Sequence, residues 1–174
     1  MIILFGLAGS GKSTQGQLLA EKHGMKWLSV GQVLRDTGAF KETLKQGKLV
    51  DDKEVIRLMN QKIQHCLDDG VDVVLDGFPR DVEQAKWVAE NLAGEISVAV
   101  LIDVEKEELW RRLDERGRAD DTKEVIERRF KIVEDNIKQI LKILAGKGVR
   151  IERVSGMAEI PVVSERIEKA IWKD

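Results

Sequence analysis

Gly6-Leu7-Ala8-Gly9-Ser10-Gly11-Lys12-Ser13 is a glycine-rich loop closed by a lysine and a hydroxyl. Its spacing, G-x-x-x-x-G-K-[ST], suits it to hold the phosphates of a nucleoside triphosphate. Glycines let the backbone curl until successive N–H groups point inward at phosphate oxygens. A helix N-terminus beyond the loop adds a favourable dipole. Lys12 supplies a mobile positive charge for the β- and γ-phosphates. Ser13, with Thr14 behind it, offers hydroxyls to a magnesium ion or its waters. The competing reading is a glycine turn beside an ordinary surface lysine. The apolar run Ile2–Phe5 before the loop and the helical pattern after it argue against that.

A second group of residues could serve an acceptor. Val73-Val74-Leu75-Asp76 is an apolar strand ending in an acid. Beside a phosphate loop, that carboxylate can hold magnesium through its waters. An N-cap or turn role is its alternative. Gly77-Phe78-Pro79-Arg80 follows, then Gln84. Gly77 permits close backbone approach, Arg80 is placed for a phosphate, and Gln84 could pair with the edge of a base. Arg111, Arg112, Arg116, Arg118, Arg128 and Arg129 are interleaved with acids. Arg112 and Arg116 are four apart and share one helix face. Phosphoryl transfer needs positioning and cationic stabilisation more than covalent help. The planar guanidinium suits it. A solvated, salt-bridged helix pair is the ordinary explanation of such a run, and Arg111 and Arg128 are expected on the surface.

These residues need a frame. The pattern predicts strands at Ile2–Phe5, Trp27–Val30, Val71–Leu75, Ile96–Ile102 and Val149–Val154. Helices are expected over 12–23, 52–67, 81–92, 105–116 and 121–145, with two short ones over 31–46 broken near Gly38, and a last one starting at Pro161. Apolar strands alternating with helices imply a parallel sheet covered on both faces. The expected class is α/β: a P-loop NTPase fold, five-stranded and parallel, in three α/β/α layers. Ligands of such sheets bind at the carboxyl ends of the strands, where three of the motifs fall.

The 174 residues suffice for one domain with a core. The net charge of −2 excludes a general polyanion binder, so no nucleic-acid partner is expected. One cysteine, Cys66, excludes a disulfide framework and a four-cysteine zinc site, and suits a reducing cytoplasm. The apolar N-terminus lacks a basic region and a cleavage site, so a strand is expected there, not a signal peptide. No stretch approaches the roughly 18 apolar residues of a membrane span. His23 and His65 have no ligand-spaced partners. The tryptophans Trp27, Trp87, Trp110 and Trp172 are expected to be packing anchors, with Trp110 the one nearest the arginine helix. Asp120 and Asp121 could orient arginines or cap the long helix.

L-A-G-S-G-K-S-T-Q (7–15), L-S-V-G-Q-V-L-R (28–35), G-K-L-V-D-D (47–52), L-D-G-F-P-R-D-V-E-Q-A (75–85) and G-R-A-D-D-T-K-E-V-I-E-R-R (117–129) resemble the adenylate kinase family in order and spacing. The resemblance implies a magnesium-dependent transfer from ATP to AMP giving two ADP, in a single domain. Its monophosphate-binding segment would span about 30–60 and its very short lid about 116–122. It implies that Arg35 and Arg80 hold the acceptor phosphate, that Val30, Lys48, Leu49, Val50 and Val55 line the acceptor's base pocket with Gly77 beside them, and that Gln84 reads adenine. Arg112 would lie against the ATP adenine, to which Gly156 would present backbone; Gly9, Ser10, Gly11, Lys12, Ser13 and Thr14 would hold its phosphates. Arg116, Arg118 and Arg129 would clamp the transferring group. Ser13 and Asp76 would serve magnesium, and no zinc is implied. The expected partners are ATP, AMP and ADP, with a cytoplasmic monomer as the expected form.

The chain departs from the family in three places. Only Gly117 separates Arg116 from Arg118, where many members insert a lid domain. Val30 stands where adenylate kinases usually carry threonine, and Gln32 where aspartate is usual. Ser13 stands where glycine is usual, which leaves open whether Ser13 or Thr14 approaches magnesium. A uridylate/cytidylate-type kinase is the alternative enzyme, and a nucleotide-binding module without turnover the alternative of another class.

Overall fold

In the computed structural model, residues 1–38, 50–117 and 122–173 are described. Five strands form one parallel sheet: β1 (Ile2–Phe5), β2 (Lys26–Ser29), β3 (Val73–Asp76), β4 (Val98–Asp103) and β5 (Arg150–Ser155). Their spatial order is β2-β3-β1-β4-β5. The described helices are α1 (Lys12–His23), α2 (Val30–Thr37), α3 (Asp52–Asp68), α4 (Val82–Asn91), α5 (Lys106–Arg116), α6 (Lys123–Gly146) and α7 (Ile160–Ile171). The expected α/β class with a five-stranded parallel sheet is therefore present.

The three central strands, β1, β3 and β4, are apolar on both faces because both faces are covered. Ile3 and Phe5 point to one side with Leu75, Ala99 and Leu101, and pack on residues of α2, α3, α4 and α6. Ile2 and Leu4 point to the other with Val74, Val98, Val100 and Ile102, and meet Leu19 of α1 and Val163 and Ile167 of α7. Period-two alternation in the sheet thus feeds two separate helix layers. Each fully buried aliphatic side chain contributes roughly 1.5–3 kcal/mol. A third, smaller cluster, Leu109, Leu113, Ile126 and Phe130, joins α5 to α6 beside Leu7 and Ala8 of the phosphate loop.

Several boundaries differ from expectation, each for a local reason. β2 ends at Ser29, whose partner Asp76 is the last register pair, and Val30 begins α2. β3 starts at Val73 because the Val71 N–H is bound to Cys66 O at 2.8 Å, closing α3 after Gly70 turns left-handed at φ 68°. β4 starts at Val98 because Ala93–Glu95 form a 3₁₀ turn that takes the Ile96 N–H. α6 is capped by Thr122, whose hydroxyl accepts from Val125 N; Asp120 and Asp121 lie outside the described residues. The second short helix expected before residue 46 lies outside the described residues.

Candidate active site

The phosphate loop connects β1, the central strand, to α1. Gly6, Gly9 and Gly11 have φ of 148°, 84° and 92°. Gly6 has a second constraint: a Cβ there would lie 2.6 Å from Ser10 Oγ and 2.8 Å from Ile102 O. The loop therefore coils tightly against β4. No side chain caps the N-terminus of α1, whose N-cap is Gly11. Lys12 Nζ donates to Gly6 O at 2.7 Å and Leu7 O at 2.8 Å, and lies 3.4 Å from Ser10 Oγ. Its ammonium is thereby folded onto the backbone of the loop.

β3 lies beside β1, with Leu4 opposite Asp76. That register brings Asp76 to the loop. Ser13 Oγ donates to Asp76 Oδ2 at 2.6 Å, and Asp76 is 3% exposed. Thr14 is exposed one residue further along α1.

The next residues build the acceptor side. Gly77 has φ 72°, and a Cβ on it would sit 3.0 Å from Arg80 Nη2. Arg80 Nε donates to Gly77 O at 2.7 Å, which folds the guanidinium back over its own turn. A Cβ on Gly31 would lie 3.3 Å from Arg35 Nη1 and 3.5 Å from Arg80 Nη2. Two guanidiniums therefore converge on the bare face of Gly31. Arg35 Nη2 also donates to Gln32 Oε1 at 3.0 Å, and Gln32 Nε2 to Asp36 Oδ1 at 2.6 Å. Gln32 thus relays between an arginine and an acid on α2.

Gln84 is 1% exposed. Its Oε1 accepts from Arg80 N and its Nε2 donates to Asp52 Oδ1, both at 2.9 Å. Asp81 caps α4 by accepting from Gln84 N at 2.9 Å. Burial first, and then the neighbouring Asp52 carboxylate, push the Asp81 carboxyl up to about 6, against the pull of the N-cap hydrogen bond. Val30, Val50 and Val55 are buried in the apolar cluster above the same sheet face.

On the far side, Arg112 Nη2 donates to Gly156 O at 2.9 Å and its Nε to Glu108 Oε1 at 2.6 Å. Hydrogen bonds from Arg111 and Arg112 hold the Glu108 carboxyl down to about 2. Gly156 has no room for a side chain, since a Cβ would lie 2.5 Å from Val104 Cγ2. Arg111 pairs with Glu108 and Glu115 on the exposed side of α5, as a surface residue does. Trp110 packs edge-on against Phe130 at 5.7 Å.

The structure thus gathers Lys12, Ser13, Asp76, Arg35, Gly77, Arg80 and Gln84 around the carboxyl ends of β1, β2 and β3, and pairs Arg112 with Gly156. Lys48, Leu49 and Arg118 lie outside the described residues, as do the side chains of Arg116 and Arg129. Sequence reasoning missed Gly31, Asp52 and Asp81. An acid beside the cap of α3 and another three residues before Gln84 were the available signals; each reads as a helix cap when taken alone.

The sequence matches the family model described as adenylate kinase over residues 4–149. It is 34% identical to a Prochlorococcus marinus (strain NATL2A) protein named adenylate kinase, covering 98% of this chain and 97% of that one. It is 32% identical to an adenylate kinase of Bacteroides fragilis over 98% of this chain and 97% of that one. A relative of the same name from Parabacteroides distasonis is 31% identical, with 98% and 96% covered. With a phosphate loop, a strand-end acid and an arginine pair already in place, these matches settle the family: the chain belongs to the adenylate kinases.

Proposed function

We propose that this chain transfers the γ-phosphoryl group of ATP to AMP, reversibly, giving two ADP. The observation that carries the reading is the convergence of Arg35 and Arg80 on Gly31, across the strand ends from the Lys12 loop. One half of the site suits a triphosphate and the other a monophosphate. Lys12 would hold the β- and γ-phosphates, and the N–H groups of the loop would surround them. Arg35 and Arg80 would fix the acceptor phosphate in line with the γ-phosphorus. The attacking atom is a phosphate oxygen already ionised at neutral pH, so no general base is needed. Arg116, Arg118 and Arg129 would neutralise charge on the equatorial oxygens as the group moves. Val30, Lys48, Leu49, Val50 and Val55 would border the acceptor's base, and Gln84 would read it. Arg112 and Gly156 would border the ATP base, with Gly9, Ser10, Gly11 and Thr14 at its phosphates.

Magnesium fits the residues present. Among the described residues no group of three or more His, Cys, Asp or Glu could hold a metal alone. The Ser13 hydroxyl and Asp76 carboxylate are hard oxygen donors at the phosphate loop, suited to an ion that arrives on phosphates and keeps several waters. Such an ion would draw charge from the β- and γ-oxygens.

We read the chain as one kinase domain with an acceptor segment at about 30–60 and a short lid at about 116–122. It would work as a cytoplasmic monomer on ATP, AMP and ADP, without nucleic acid or membrane. No described helix is long and apolar enough to cross a membrane. The test is initial rates with ATP and magnesium against AMP, GMP, UMP and CMP. AMP is expected to turn over fastest; faster turnover of UMP or CMP would overturn the acceptor assignment.

A further inference from the structure

We propose that Asp52 determines which base edge Gln84 accepts, by locking the Gln84 amide in one orientation. The inference rests on Gln84 reading the acceptor's base and deepens that reading. Gln84 Oε1 faces the Arg80 N–H, and Gln84 Nε2 faces Asp52 Oδ1, both at 2.9 Å. A backbone N–H can only donate, and an ionised carboxylate can only accept. Turning the amide over would set N–H against N–H and oxygen against oxygen. Both hydrogen bonds would be lost at a side chain 1% exposed, where water cannot replace them.

Asp81 reinforces the lock. Its Oδ1 accepts from Gln84 N, and its Oδ2 is buried with no hydrogen-bond partner among the described residues. Burial and the Asp52 carboxylate push the Asp81 carboxyl up to about 6. Gln84 bridges the two acids, its backbone N–H donating to Asp81 Oδ1 and its Nε2 to Asp52 Oδ1.

An amide has two hydrogens and two lone pairs. Once Arg80 and Asp52 are satisfied, one lone pair on Oε1 and one hydrogen on Nε2 remain. They are offered in a fixed order. A 6-amino purine presents a donor beside an acceptor, N6–H and N1, and matches that order. A 6-oxo purine presents O6 and N1–H, the reverse. Because Gln84 is so well buried, the base reaches it only when a neighbouring side chain withdraws. Asp52 is thus a positioning residue, acting through Gln84 and not on the phosphates.

The experiment compares kcat/KM for AMP with that for inosine 5′-monophosphate, at fixed ATP and magnesium, in the unaltered enzyme, Asp52→Asn, Asp52→Ala and Gln84→Leu. Asparagine can donate or accept, so Asp52→Asn removes one of the two constraints and leaves only the Arg80 N–H to oppose the turned amide. The AMP preference is expected to fall roughly tenfold, one hydrogen bond's worth. Part of that fall comes from faster use of the inosine nucleotide, which loss of structure would not produce. Asp52→Ala is expected to do the same and replaces Asp52→Asn if that variant does not fold. A preference lost in Gln84→Leu but kept in both Asp52 variants overturns the lock and leaves base reading standing. A preference kept in Gln84→Leu overturns base reading, and the lock falls with it.

Discussion

Ser13 Oγ donates to Asp76 Oδ2 at 2.6 Å, which ties the first turn of α1 to the end of β3. The bond satisfies a carboxylate that is 3% exposed, and it holds two oxygens where the metal of an ATP complex would pass. Replacing Asp76 by Asn keeps the shape and removes the charge. Asp76→Asn is expected to lower kcat on the order of 100-fold and to raise the magnesium concentration needed for half-maximal rate. Ser13→Ala should cost roughly tenfold, since water can replace a hydroxyl at an exposed position. A magnesium titration of the steady-state rate checks both. An unchanged magnesium dependence in Asp76→Asn would remove the acid from the metal site.

The arginine pair at Gly31 predicts a split between binding and catalysis. Arg35 is held by Gln32 on α2, at the periphery of the site. Arg80 is folded over Gly77, closer to the phosphate loop. Arg35→Met is therefore expected to raise the KM for AMP about 10- to 100-fold with a smaller change in kcat, the mark of lost uniform binding. Arg80→Met should lower kcat as well, by roughly 100-fold or more. Neither should alter the KM for ATP by more than a few-fold. Equal effects of both variants on the ATP KM would show that the pair faces the donor.

Asp81 gives a pH signature in stability. Its carboxyl is raised from 3.8 to about 6 in the folded chain, first by burial and then by Asp52. The folded state therefore binds this proton more tightly than the unfolded chain does. The group's contribution to stability is fully present below about pH 4 and is lost as pH rises through about 6. Discounted for partial exposure, the loss is about 1 kcal/mol. Glu54, Glu108, Glu152 and Glu168 are shifted the other way, so the signal lies in a difference between variants. Asp81→Asn keeps an N-cap and does not titrate. Relative to it, the unaltered protein should lose stability between pH 4 and pH 7 in denaturant melts. Parallel curves would place Asp81 in a more solvated setting.

How much of this was legible follows from distance along the chain. The phosphate loop is contiguous, and its glycines, lysine and serine carry their roles in their spacing. The apolar strands were legible because burial on both faces leaves no polar alternation, and Asp76 was legible because it ends one of them. Arg80 was nameable from the turn that follows the strand-end acid, and Arg35 through family resemblance. Their meeting at Gly31 was not, because it depends on β2 lying beside β3, and a glycine without a side chain gives no signal of what crowds it. Gln84 was named for a base edge. That both ends of its amide are already engaged depends on Asp52, which lies 32 residues earlier. A helix-cap acid and a partner to a buried amide look the same in one dimension.

Arg150 supplies a prediction confined to stability. It opens β5, and its guanidinium reaches the end of α7, where Nη1 donates to Ala170 O at 2.7 Å and Nη2 donates to Ile171 O. The last carbonyls of a helix have no partner within it, and a cation there also meets the negative end of the dipole. Glu152 steadies the arrangement by pairing with Arg150 at 3.2 Å and with Lys173 at 2.6 Å. Arg150→Met keeps the aliphatic stem and removes both donors. It should destabilise the protein by about 1–3 kcal/mol, lowering Tm by roughly 2–9 °C for a chain of this size. Arg150→Lys should recover part of the loss, because one ammonium can serve one carbonyl well and two poorly. Because Arg150 lies outside the gathered site residues, the rate with AMP at 25 °C should stay within about two-fold in both variants. A large loss of activity at unchanged Tm would mean that the end of α7 is coupled to the ATP side through Gly156, which β5 leads directly into.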